Sequence, residues 1–213
     1  MEFLRLDGKF YNTLTKIADC LILSVLWIIC SVPLFTLGAS SAALYYSVCK
    51  VLRSGEGPTI RTFFRAFRDN FRQGTLVTGI TLALALGITA IGSLVYSQNP
   101  TQDTLADVYL GYLIAGIIVA AWLHYALSGI AKFRNSLGAI LKNSLVICLV
   151  NFPVSILMAL MLTLVLVLMV LQFPRTLGTL MFLPGAYAWV CSLLLERVYQ
   201  KYLPEEAEEA QPE

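Results

Sequence analysis

"CLILSVLWIICSVPLFTLGASSAALYYSVC", residues 20–49, runs for thirty residues without a charge. A helix that crosses a bilayer needs roughly 20 mostly apolar residues. The stretch is therefore long for one crossing and short for two. Pro33 and the small, polar run 36–41 lie in its middle and predict a turn followed by a new helix start. Two legs result, 16–32 and 37–53, each about 17 residues and at the lower limit for a span. Lys16, Lys50 and Arg53 are placed to snorkel and extend that reach.

The rest of the chain has the same character. It is 58% hydrophobic and 13% charged, with a mean hydropathy of +0.75; soluble domains carry roughly twice that share of charge. Further charge-free stretches run 73–102, 108–131, 143–174 and 176–195. That is more apolar length than a soluble core of this size can bury, which predicts an all-α, polytopic membrane bundle. Glu2, Arg5, Asp7, Lys9 and Lys16 precede the first apolar stretch, and no small-residue cleavage site follows it, so that stretch is expected to be retained.

Charge bias decides between five and six spans. With spans at about 16–33, 37–53, 73–97, 107–131, 143–172 and 176–197, 14 of the 15 basic residues share one side and Arg175 stands alone opposite. A single span over 20–49 would split them 11 to 4. The positive-inside rule favours six spans, a short re-crossing first hairpin and both termini in the cytoplasm. Residues 204–213 are acidic, lack an apolar face and are expected to form a solvated, disordered tail.

One segment breaks the apolar pattern. On a helical wheel over residues 59–72, Ile60, Phe63, Phe64, Phe67 and Phe71 share one arc, and Arg61, Arg65, Arg68 and Arg72 share its neighbour. This predicts a cytoplasmic interfacial helix, aromatic face toward lipid and basic flank toward headgroups or an acidic partner. Asn70 is placed to cap or hydrogen-bond at the start of the third span. Four arginines in a chain of net charge +2 neutralise little phosphate, which argues against nucleic acid. Gly74, Gly79, Gly87 and Gly92 suit close helix packing.

Little in the spans can do chemistry. Asp19 and Glu196 sit near span ends, with Lys16 and Arg197 as candidate partners. His124 is the ionisable group well inside a span. It is either a functional intramembrane site or a neutral histidine hydrogen-bonded within the bundle. The five cysteines form no Cys-x-x-Cys pair and read as small buried hydrophobes. Pro153 and Pro184-Gly185 are candidate helix breaks. No catalytic residue, metal or cofactor is expected.

Three stretches together resemble a known family: "SVPLFTLGASSAALYYSVCK" (31–50), "FFRAFRDNFRQG" (63–74) and "LPGAYAWVCSLLLERVYQKY" (183–202). The first carries Pro33, Thr36, Gly38, Ala39 and Tyr45. They resemble the YesL-like family of bacterial membrane proteins, a domain of unknown function. The resemblance implies an accessory component near carbohydrate importers of the ATP-binding-cassette (ABC) type, with permease and ATPase subunits as partners. The EAA-x3-G signature by which importer permeases dock their ATPase is missing, so the chain is not expected to be the permease. The expected function is thus an accessory subunit or assembly factor. The alternatives are a stand-alone small-solute transporter or channel, which flux in liposomes would reveal, and a membrane regulator of sugar-responsive signalling, which altered gene induction would reveal.

Overall fold

A computed structural model describes residues 9–133, 135–172 and 177–202, and among them every regular element is helical. The order is α1 (Lys9–Ser31), a 3-10 turn (Leu34–Thr36), α2 (Leu37–Ser47) with a π-helical continuation (Val48–Arg53), α3 (Thr59–Gln98), α4 (Gln102–Lys132), α5 (Leu137–Val150), α6 (Phe152–Gln172) and α7 (Leu177–Tyr199). The acidic tail, Arg134, Arg175 and Thr176 lie outside the described residues.

By length and hydropathy, four helical stretches among the described residues are able to cross a membrane: Thr13–Ser31, Thr59–Gln98, Gln102–Lys132 and Phe152–Met169. The chain is a helical membrane bundle. Large exposed apolar side chains such as Leu86, Ile91, Leu113, Leu149 and Leu164 clothe it, as lipid contact requires.

The charge-free stretch 20–49 does form a hairpin. Pro33 ends α1 and precedes the 3-10 turn. Thr36 Oγ1 lies 2.6 Å from both the Cys30 and Pro33 carbonyls, within donating reach of one that the end of α1 leaves free. Ser31 and Ser40 hydroxyls join the two legs at 2.7 Å, and Trp27 Nε1 donates to Ser41 Oγ at 3.1 Å.

The second leg, expected as a span over 37–53, is α2 with its π-helical continuation. It packs along residues 59–78 of α3 rather than along the apolar half of that helix. At one end Gly38 N–H donates to Thr78 Oγ1 at 2.8 Å; toward the other, Leu44, Val48 and Leu52 share a core cluster with Phe63 and Ala66. The reason is composition. Gly38, Ala39, Ser40, Ala42 and Ala43 leave α2 without large side chains on its first turns, so neighbouring backbones close in from several sides and bury it. Gly55 and Gly57, at φ +73° and +80°, make the tight return from the π turn into α3.

The interfacial helix and the third span are one continuous helix of 40 residues, about 60 Å long. Its apolar half packs on α4, where the Tyr112 ring lies on Gly92 and Tyr112 Oη donates to Thr89 O at 3.2 Å. Gly74 and Gly92 meet close neighbours; a Cβ at Gly79 or Gly87 would meet nothing within 4 Å.

Residues 143–172, expected as one span, do not form one continuous helix. The helix breaks at Asn151, leaving Pro153 in the first turn of α6, where a missing N–H costs nothing. The short α5 rests on the C-terminal third of α4: Ile140 and Ser144 face Gly129, and Trp122 Nε1 donates to Leu141 O at 3.3 Å. Asn151 Nδ2 then donates to Tyr202 Oη at 2.9 Å. Pro184, by contrast, does not end α7. Gly185 N–H is taken up by Ser24 Oγ of α1 at 2.8 Å, and Ser24 Oγ donates to Cys20 O at 2.9 Å.

Candidate functional site: a basic helix face beside a buried ion pair

The four arginines Arg61, Arg65, Arg68 and Arg72 are all exposed on the first turns of α3. Asp69 is the one acid within residues 59–73. Its nearest basic atom, Arg65 Nε, is 3.9 Å away, and both side chains are more than half exposed, so this pair neutralises little.

The aromatic face differs from the expected lipid-facing stripe. Phe63 is fully buried among protein side chains from α1, α2 and α7. Phe67 is half-buried and stacks on it at 6.4 Å; Phe64 and Phe71 are exposed. A helix pressed against a hairpin cannot give its whole apolar arc to lipid. Asn70 Nδ2 donates to Ala66 O at 2.9 Å, so it serves its own helix.

This face is tied to its neighbours at both ends. Thr59 Oγ1 donates to Asp19 Oδ1 at 2.5 Å at the helix start. Fifteen residues on, Gly74 lies against the backbone of Gly38 and Ala39: an added Cβ would fall 2.5 Å from Ala39 N. Gln73 Nε2 donates to Asn135 O at 3.2 Å, tying the end of the row to the loop after α4. Pro33, Thr36, Gly38 and Ala39 thus act as the hairpin's turn and its contact with α3.

Tyr45 does something different. Its hydroxyl donates to Glu196 Oε1 at 2.9 Å, and Lys132 Nζ binds Glu196 Oε2 at 2.7 Å, with the lysine and glutamate side chains only 19% and 18% exposed. Lys132 also lies over the Tyr199 ring, 5.4 Å from its centre, and the Tyr199 and Ser128 hydroxyls are 2.7 Å apart. Three helices, α2, α4 and α7, are joined through one carboxylate. Sequence reasoning offered Glu196 the nearby Arg197 or distant Lys16. The signal it passed over was a lysine and a glutamate each terminating an apolar run, placed to meet if the two helices run side by side. Asp19 likewise takes Thr59 as a partner.

His124 is bonded on both ring nitrogens: Nδ1 to the Ala120 carbonyl at 2.6 Å, Nε2 to the Tyr187 hydroxyl. A carbonyl only accepts, so the hydrogen-bond network assigns the proton to Nδ1 and leaves Nε2 of the neutral ring to accept from tyrosine. Tyr187→Phe is expected to cost about 0.6 kcal/mol, the average for hydrogen bonds between membrane helices, and no more than about 1.7 kcal/mol. A thermal midpoint in detergent equal to that of the unaltered protein would show that this contact carries no stability.

Among the described residues, no three His, Cys, Asp or Glu come together in a way that could hold a metal ion, and the cysteines are free. Beside the ion pair is a cavity of about 200 Å³ lined by Gly129, Asn135, Asn143, Ser144, Tyr199 and Tyr202, among others.

Residues 20–92 match the family described as "Protein of unknown function, DUF624". The match takes in the hairpin, its contact with α3 and all four arginines, and stops short of Lys132 and Glu196. No curated protein and no solved structure matches the chain.

Proposed function

We propose that this chain is a non-enzymatic, multi-pass protein of the bacterial cell membrane, with both termini in the cytoplasm, that serves as an accessory subunit or assembly factor of a carbohydrate ABC importer. The observation that carries this reading is the arginine face: four exposed cations on a helix clamped at both ends, with one loosely paired acid among them. A preorganised basic face spends little conformational entropy on meeting an acidic surface. The bias of lysine and arginine toward one side supports a cytoplasmic location for it. The importer as partner rests on the family resemblance in residues 31–50, 63–74 and 183–202.

The test is recovery of partners from native membranes in mild detergent. The unaltered protein is expected to bring down permease and ATPase subunits in near-equal amounts. Replacing all four arginines with glutamine removes contacts worth about 0.2–1 kcal/mol each, so recovery is expected to fall about fourfold or more while membrane insertion is unchanged. Equal recovery with and without the arginines would refute the docking role; recovery of the folded protein alone would refute the importer assignment.

A further inference from the structure

Residues 204–213, Pro-Glu-Glu-Ala-Glu-Glu-Ala-Gln-Pro-Glu, carry five glutamates and no basic residue. The last described residue before them is Tyr202. Tyr202 accepts from Asn151 and lines the same cavity as Asn135 and Asn143. Asn135 O in turn accepts from Gln73, the residue after Arg72. Tyr202, two residues before the acidic segment, and Asn135, which Gln73 binds at the end of the arginine row, therefore line one small cavity. From Arg72 to Arg61 the row rises about 16 Å along α3. Ten residues of extended chain reach about 33–36 Å, enough to cross the cavity and follow the row.

Charge selects the same pairing. The face carries four arginines against Asp69, and the segment carries glutamates at 205, 206, 208 and 209, close to where it leaves α7. We propose that the acidic C-terminal segment docks on the arginine row of its own chain, with Glu205, Glu206, Glu208 and Glu209 against Arg72, Arg68 and Arg65. Tethering raises the local concentration of the glutamates to the millimolar range, so individually weak, exposed ion pairs suffice to populate the contact. The contact occupies the face that an acidic partner would use, but it does not depend on any partner existing. It is exposed, and so it weakens as salt shortens the screening length from about 8 Å toward about 3 Å.

The full-length protein with Arg68→Lys, and separately with Arg65→Lys, keeps the charge and gains an amine that a carbodiimide joins directly to a carboxylate. In lipid discs containing neutral and anionic phospholipid, mass spectrometry is expected to find position 68 or 65 linked to glutamates 205–209 within one chain. The yield is expected to fall at least about threefold between low salt and roughly 1 M salt. Links present in neutral discs and missing in anionic ones would assign the arginines to headgroups and overturn the proposal. Links found only between isotopically distinguished copies would assign the row to a second chain and overturn it too, as would the lack of any link from either position. None of these results depends on recovery of an importer, so this contact and the docking of a partner are tested separately.

Discussion

Gly38→Val is expected to open the first hairpin away from α3 and leave a protein that no longer runs as a single species in detergent. An added Cβ at Gly38 would collide with the Gly74 carbonyl and lie 2.6 Å from Thr78 Oγ1. Both are held in place: Gly74 O accepts from Thr78 Oγ1 at 3.0 Å, and Thr78 Oγ1 accepts from Gly38 N–H. Overpacking of this kind costs about 1–3 kcal/mol, occasionally more, and backbone atoms cannot turn aside as a side chain does. Gly38→Ala should already show most of the loss, about 2–4 °C in midpoint per kcal/mol for a chain of this size. Gly79→Ala is the control on the same helix as Gly74. It meets nothing within 4 Å and is expected to be neutral, or more stable by up to about 1 kcal/mol through helix propensity. If the Gly38 and Gly79 variants melt alike, the close crossing of α2 and α3 does not exist.

Glu196→Leu is expected to be the most damaging change at the other end of α2. It leaves the Lys132 ammonium, about four-fifths buried, with only a tyrosine ring and no counter-charge, and it leaves the Tyr45 hydroxyl without its acceptor. Removing one member of a buried pair costs about 3–5 kcal/mol, because the remaining charge is desolvated without compensation. The double change Lys132→Leu, Glu196→Leu removes that uncompensated charge and is expected to recover most of the loss, since apolar replacements of a buried pair are often neutral or better. Thermal unfolding of the two single variants and the double variant gives the coupling directly. A double variant no more stable than Glu196→Leu alone would show that the pair does not link α4 to α7.

Much of the fold was legible in the order of residues. Long charge-free runs announced membrane helices because hydrocarbon accepts little else. Pro33 and Thr36 announced the turn because a helix that loses a donor and meets a capping hydroxyl stops there. The arginine arc at 61, 65, 68 and 72 was correctly placed on one exposed face, since helical periodicity alone sets which residues share a side. Periodicity does not say what lies opposite: it points Phe63 toward lipid, whereas protein covers it. The break at Asn151 was missed for a related reason. The residues around it are as apolar as a continuous span, and a proline in the first turn of a new helix looks the same in sequence as one that kinks an existing helix.

What the sequence determined by itself is local: apolarity, helical period, turn chemistry and the sign of charge on each face, all set by residues within a few turns of one another. What only the tertiary structure decided is which surfaces meet. Gly38 against Gly74 and Lys132 with Glu196 join residues 36 and 64 positions apart, and the basic half of α3 settles beside α2 across the turn between them. Those pairings follow from shape and desolvation. Small residues let two backbones approach, and a charge at the end of an apolar helix is stable only where an opposite charge arrives from elsewhere.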